Sequence, residues 1–365
     1  MGYPATRSGV ELRILERLFT PKEALLATCL THRLASAADI CRQAGGKGIT
    51  QNTCVELLDA MAAKGGILKK DEGGAACYAL VPFVVGMFEF QVKHLTPELY
   101  ADTARYFREA YGLAYLSTSR PQMRVIPIEQ SVSDIPHIAT YDEIRQIIDE
   151  ADGKIGVAEC ICRKGKDLTG APCGKTDRRE VCLGFRDYFD TYKREGWFRE
   201  ISAEEALAIL AQSEKEGLVL QATNEKYPQA VCACCSCCCG ILNTLKNVPN
   251  RADFVAANYR VRVDDDKCVG CGLCVDRCHM AAISIADKKA VIDPKRCIGC
   301  GICVPACSTG ALFMEEKAVP CIPPETTEYL YEAIMAEKPR WAKLKTALKI
   351  LRHMSFSEIR ALINI

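Results

Sequence analysis

The 365-residue chain has no apolar run long enough to cross a bilayer. Its longest, Tyr78 to Phe90, contains Pro82, Gly86 and Glu89 and falls short of the roughly 20 residues that a membrane helix needs. Met1 to Ser8 offers no apolar signal segment either. Charge of one sign is also lacking: 47 Lys and Arg stand against 46 Asp and Glu, for a net charge of +1. No global field therefore draws the protein to nucleic acid. Histidine is scarce, and His32, His94, His137, His279 and His353 are scattered. They read as ordinary surface or core residues. No Ser-His-Asp set, dinucleotide fingerprint or flavin motif stands out. Gly170, Gly174, Lys175 and Thr176 imitate a P-loop, but the gap is one residue short and no buried strand leads straight into it.

What is abundant is cysteine, 23 residues, odd in number and bunched. That distribution argues against a disulfide scaffold. Free thiols and iron–sulfur clusters call for a reducing compartment, so a cytoplasmic location is expected. CVGCGLCVDRC and CIGCGICVPAC each spell CxxCxxCxxxC, and the two copies lie 29 positions apart. Three cysteines at this spacing wrap one corner of an iron–sulfur cube, and the glycines between them let backbone N–H groups approach the sulfurs. In two-cluster proteins the last cysteine of each run ligates the other cluster. The expected ligand sets are therefore Cys268, Cys271, Cys274 and Cys307 for one [4Fe–4S] cluster, and Cys297, Cys300, Cys303 and Cys278 for its twin. Zinc ribbons would need two pairs rather than a four-cysteine run.

Residues 259 to 315 resemble the bacterial dicluster ferredoxins. CHMAAI and CSTGAL stand where that family has CPxGAI-like segments, so His279 and Ser308 replace the usual proline. The resemblance implies low-potential electron transfer. More widely, CICR, EVCLGF, REISAEEAL and CACCSCCCG ahead of the ferredoxin repeat resemble a largely uncharacterised group of cytoplasmic iron–sulfur proteins of anaerobes. That resemblance implies redox work and names no substrate.

The expected fold is α+β and multidomain. Residues 1–120 read as helix, helix, helix and hairpin, a winged-helix-like domain, with the hairpin strands Ile67–Lys70 and Ala76–Val81. Its third helix, from Thr50, carries Glu56, Asp59 and Lys64, a charge pattern unsuited to phosphates, so a docking or structural role is expected. Cys29, Cys41, Cys54 and Cys77 fall on apolar faces and read as buried small residues. Residues 121–258 read as a cysteine-rich α/β middle domain, 259–319 as the dicluster ferredoxin domain and 320–365 as a helical tail.

The middle domain holds ten more candidate ligands. Cys160 and Cys162 close the strand KIGVAECIC, where residues two apart share a face. Cys173 and Cys182 follow, in a loop and at a helix start. Arg163, Lys164, Lys166, Lys175, Arg178 and Arg179 around them would lower thiol pKa values or simply be solvated. CACCSCCCG supplies Cys232, Cys234, Cys235, Cys237, Cys238 and Cys239, the last three entering a helix whose N-terminus favours anionic sulfur. Cys238-Cys239-Gly240 resembles the CCG segments of heterodisulfide reductase catalytic subunits over those three residues. Three readings stay open: one further cluster; two further cubes or one larger unusual cluster; or a zinc or redox-thiol site without iron.

In the tail, Trp341, Leu344, Leu348 and Leu351 line one face of a basic helix. It suits self-packing or a homodimer contact, an acidic redox partner protein, or a membrane surface. The expected function is one-electron transfer through two [4Fe–4S] clusters to a further cluster in the middle domain. The alternatives are a reductase whose middle cluster is catalytic, and a redox-sensing DNA-binding regulator.

Overall fold

The computed structural model describes residues 3–337, apart from 134 and 137; the basic helix expected from Trp341, with His137 and His353, lies outside the described residues. The chain divides into two compact units, residues 3–118 with 331–337, and residues 119–330. Among the described residues no helix is long and apolar enough to cross a membrane.

The first unit opens with α1 (Val10–Leu18) and α2 (Pro21–Ala27). Thr20 starts α2 with a full capping box: its hydroxyl accepts the Glu23 N–H, and the Glu23 carboxylate takes the Thr20 N–H at 2.7 Å. Next come β1 (Ala35–Ser36), α3 (Ala37–Gly45), α4 (Gln51–Ala63), β2 (Ile67–Glu72) and β3 (Ala75–Leu80). The strands form an antiparallel sheet in the order β1-β3-β2. Leu26, Ile40, Leu58, Met61 and Ile67 fill the core beneath it. Cys41 and Cys54 were expected to pack as small thiols, but here they are joined as a disulfide between α3 and α4, with Cα atoms 5.6 Å apart. Cys77 is buried and Cys29 half-buried, both as free thiols. The unit continues through α5 (Pro97–Tyr106) and α6 (Gly112–Leu116).

The second unit is built on a six-stranded sheet in the order β4-β8-β9-β6-β5-β7. Its strands are β4 (Met123–Ile126), β5 (Ile155–Glu159), β6 (Glu180–Phe185), β7 (Arg199–Glu200), β8 (Val219–Thr223) and β9 (Ala230–Cys234). Every pairing in it is antiparallel. That corrects the α/β expectation for this stretch, which implies parallel strands. The reason lies in the connections: β5 returns to its neighbour β6 through a helix and a loop, and β8 and β9 form a hairpin. The helices are α7 (Glu129–Val132), α8 (Ile144–Asp149), α9 (Ile161–Leu168), α10 (Arg186–Glu195), α11 (Ala203–Lys215) and α12 (Gly240–Lys246).

After α12 the chain forms two small antiparallel pairs. β10 (Tyr259–Val263) pairs with β13 (Leu312–Glu316), and β11 (Ile283–Ala286) pairs with β12 (Lys289–Ile292), with α13 (Leu273–Arg277) between β10 and β11. The last described helix is α14 (Thr327–Glu337).

Two regions of the second unit join through buried polar contacts. Arg124 and Asp142, both essentially inaccessible to solvent, form an ion pair. Asp142 also accepts a hydrogen bond from the Asn258 amide at 2.7 Å, one residue before β10.

Candidate metal centres

The repeat builds two cavities. One is lined by Cys268, Cys271, Cys274 and Cys307 together with Gly270, Gly272 and Leu312. The other is lined by Cys278, Cys297, Cys300 and Cys303 together with Ile283, Ile298 and Ile302. Each cavity thus gathers three cysteines of one run and the last cysteine of the other. The backbone dictates the fit. Gly270 and Gly299, equivalent across the repeat, sit at φ +69° and +73°. A Cβ on either would lie 2.3 Å from the Lys288 carbonyl oxygen or 2.1 Å from that of Tyr259.

The sulfurs receive matched hydrogen bonds. The Ala282 N–H donates to Cys278 Sγ at 3.2 Å, and the Ala311 N–H to Cys307 Sγ at 3.3 Å. These alanines are also equivalent across the repeat, so one backbone device serves both fourth cysteines. Such N–H···S bonds stabilise the more reduced, more negative cluster.

The middle cysteines divide into two groups. Cys173, Cys235, Cys237 and Cys238 bring their sulfurs within 4.8 Å of one another. Cys235 is the hub, with Cys237 at 3.3 Å and Cys173 at 3.6 Å, while Cys237 lies 3.7 Å from Cys238 and 3.8 Å from Cys173. The other six gather around the interior strands β6 and β9. Cys182 on β6 and Cys232 on β9 are cross-strand partners, with sulfurs 3.7 Å apart. Cys234 lies two residues on, on the same face, and it hydrogen-bonds Cys232 and Cys239. Gln221, the β8 partner of Cys232, donates its amide to Cys239 Sγ at 3.7 Å. Cys160 and Cys162 hydrogen-bond each other.

Two expectations about these positions need correction. Cys160 and Cys162 do not share a strand face. β5 stops at Glu159, the Cys160 N–H is taken by the Arg179 carbonyl at 2.7 Å, and the Cys160 carbonyl accepts the Lys164 N–H to open α9. The first turn of a helix, not a pleat, brings the pair together. Cys182 lies inside β6, not at a helix start.

Between the two groups lies Arg163, with no exposed surface. One Nη donates to the Ala233 carbonyl at 3.0 Å and lies 3.7 Å from Cys235 Sγ. The guanidinium also hydrogen-bonds Cys173. Other basic residues of this stretch turn elsewhere: Lys164 to Glu159, Arg179 to Asp167, and Arg178 to Ser213 and Glu216.

Thiol acidity follows this arrangement. Cys235 is held down to about 4, first by its hydrogen bond with Cys238 and then by Arg163, against the cost of burial. Cys160 falls to about 6, first through Cys162 and again helped by Arg163. Cys237 is pushed up to about 11, chiefly by burial. Cys232, Cys234, Cys238 and Cys239 are raised, each chiefly by a hydrogen bond with a neighbouring cysteine. One buried guanidinium cannot hold ten thiolates; a metal ion at these sulfurs would supply the missing charge.

Sequence reasoning passed over His279 as an unremarkable residue. It is buried, its Nε2–H donates to the Gly217 carbonyl at 2.8 Å, and its Nδ1 accepts from Ser236, 3.2 Å from the hydroxyl and 3.4 Å from the backbone N–H. The one signal for it was its position, where the ferredoxins carry proline.

A family model for a 4Fe-4S dicluster domain matches residues 267–311, so this segment is a ferredoxin-type dicluster domain. No curated protein and no solved structure matches the chain. The dicluster domain and the close cysteine group together define the class: an iron–sulfur protein fitted for electron transfer.

Proposed function

We propose that this protein carries electrons through two ferredoxin-type [4Fe–4S] clusters to a further metal centre held by the middle cysteines. The two clusters are held by Cys268, Cys271, Cys274 and Cys307, and by Cys297, Cys300, Cys303 and Cys278. The observation that carries the reading is the contact between the two cysteine regions: His279, next to the ligand Cys278, is hydrogen-bonded to Ser236, which lies between Cys235 and Cys237. A path from one region to the other then runs through bonded atoms and the hydrogen bonds of 3.2 and 3.4 Å between Ser236 and His279.

Cysteine-held clusters span a wide range of potentials, set by hydrogen bonds, charge and exposure. Cys271 is exposed, which offers an external redox partner protein a point of entry. The first unit is a docking element of winged-helix type, a reading supported by its β1-β3-β2 order and by α4 leading into the hairpin. The thiols fit a reducing, cytoplasmic setting.

Anaerobic quantitation of iron and acid-labile sulfide, with EPR of the reduced protein, tests the reading. Two cubes account for about eight of each per chain. Coupled EPR signals from the pair, with metal beyond that amount, are expected. Fewer than about eight irons, or a metal content fully explained by the pair, sinks it.

A further inference from the structure

Among the ten middle thiols, Cys173, Cys235, Cys237 and Cys238 stand out as a set of four sulfurs that are all mutually close. On a cube each thiolate binds a different iron, so the four sulfurs are held apart by the body of the cluster. Around one ion they stand at the corners of a small tetrahedron. With a metal–sulfur bond of about 2.3 Å, the tetrahedral edge is about 3.8 Å.

The chain carries its own standard for comparison. Among the described residues, the eight thiols lining the two ferredoxin cavities form no group of three with sulfurs within 4.8 Å of one another, whereas Cys173, Cys235, Cys237 and Cys238 form a group of four. The separations recorded within that group, 3.3, 3.6, 3.7 and 3.8 Å, approach the edge of a single-ion tetrahedron. Cys173 comes from the loop after α9, and the other three from the turn between β9 and α12. Two chain segments thus close one small, largely buried S4 set.

The surroundings suit a tetrathiolate with one divalent ion, which carries two net negative charges. Arg163 is fully buried with one Nη 3.7 Å from Cys235 Sγ, and its guanidinium also hydrogen-bonds Cys173. A buried guanidinium beside these sulfurs is stabilised by an anionic site.

We infer that Cys173, Cys235, Cys237 and Cys238 bind one tetrahedrally coordinated transition ion, zinc or iron, and that any further iron–sulfur cluster belongs to the other six thiols, Cys160, Cys162, Cys182, Cys232, Cys234 and Cys239. The inference rests on the reading of the middle cysteines as metal ligands. It adds that the quartet uses no inorganic sulfide.

The test is made on the full chain, purified anaerobically. Zinc, iron and sulfide are measured, and X-ray absorption is recorded at the zinc and iron edges, on the native protein and on Cys173→Ser and Cys238→Ser. The native chain should hold about one metal ion not matched by sulfide, in a shell of sulfur at about 2.3 Å. Zinc near one per chain identifies a structural ion, and iron in excess of sulfide identifies a redox-active one. Each variant should lose that single ion while sulfide and the ferredoxin EPR signals are unchanged. Loss of about four irons and four sulfides together would assign a cube to the quartet and overturn the inference. So would native protein whose iron equals its sulfide and which holds no zinc, a result that does not depend on how the variants fold. Absence of the ferredoxin signals from native protein would instead count against the proposed function.

Discussion

His279 and Ser236 face each other across the seam between the ferredoxin repeat and the middle cysteines. Imidazole Nδ1 accepts from Ser236, whose hydroxyl is 3.2 Å away, and the opposite ring nitrogen donates to Gly217 at 2.8 Å. The ring bridges three segments that are far apart in sequence. His279→Ala leaves the buried Gly217 carbonyl unpaired, at a cost of about 1–3 kcal/mol. His279→Pro restores the residue usual in ferredoxins but removes the same bonds. Both variants should keep the iron of the dicluster domain, melt earlier, and pass electrons more slowly to the middle centre. Stopped-flow reduction under anaerobic conditions reads the last effect. Unchanged kinetics in both variants would remove this contact from the path.

Gly270 and Gly299 give a second prediction. Their positive φ values and the neighbouring carbonyl oxygens exclude a side chain. An alanine costs roughly 1–2 kcal/mol for the left-handed conformation alone, and its Cβ would also have to displace the Lys288 or Tyr259 backbone. Gly270→Ala and Gly299→Ala should each bind less iron, with EPR showing one cluster of the pair affected more than the other. Gly153, also at positive φ but with open space where a Cβ would stand, is the control and should keep full iron content.

The grouping of the ferredoxin cysteines around two cavities was legible because cluster-binding spacing is local: a loop turning around a cube needs its cysteines close in sequence. Some helix starts were legible for the same reason, although the one at Cys160 was read as strand and tertiary contacts changed another. In the Ser-x-x-Glu pattern that signals a capping box, Ser202 accepts the Glu205 N–H at 3.1 Å, but the Glu205 carboxylate is taken by Arg199 at 2.8 Å. The division of the middle thiols was not legible. Cys234 and Cys235 are adjacent, yet one ends β9 on the face of Cys232 and the other turns away to join Cys173, which is 62 residues distant. The antiparallel order of the sheet was hidden too, since a strand, a helix and a strand in sequence fit either direction. Arg163 looked like five other basic neighbours until burial singled it out.

The pair Arg124–Asp142 is a stability prediction. Both side chains are buried, and Asp142 also holds the Asn258 amide. Removing one partner of a buried pair strands the other charge, which costs about 3–5 kcal/mol. Asp142→Ala should therefore lower stability by that order, measured by anaerobic denaturant unfolding. Replacing an exposed pair, Lys154–Asp190, by Asp190→Ala should change it by less than about 1 kcal/mol. Equal effects would mean that burial does not decide the outcome.

Glu225 predicts a pH dependence. Its carboxyl is raised above the ordinary 4.5, first by burial, while hydrogen bonds from Thr327, Thr223 and the Gln229 N–H oppose the rise. A group whose folded-state pKa is raised contributes stability that is fully present below its unfolded pKa and is lost as pH rises through the folded value. The native chain should thus lose part of its stability as pH climbs from about 4.5 toward the raised value, relative to Glu225→Gln. Comparing the two at each pH cancels losses common to both, such as acid lability of the clusters. A constant difference across that window would show that the carboxyl does not titrate there.

Arg163 predicts a redox shift. Reduction adds negative charge to a cluster, and a buried cation beside its thiolates favours the reduced form. The guanidinium faces Cys160, Cys234 and Cys235, so its field reaches both groups of middle thiols. Arg163→Met keeps much of the side-chain length and removes the charge. The potential of an iron centre held by the six thiols should fall by more than about 59 mV, a tenfold change in a one-electron equilibrium. The ferredoxin pair, whose cysteines Arg163 does not touch, should keep its own potentials. Arg163→Lys separates charge from shape: it retains the cation but not the planar fork of donors, so it should restore most of the potential while leaving the Ala233 carbonyl less well held. Redox titration followed by EPR measures all three proteins. A potential that stays put in Arg163→Met would make the residue a packing element only.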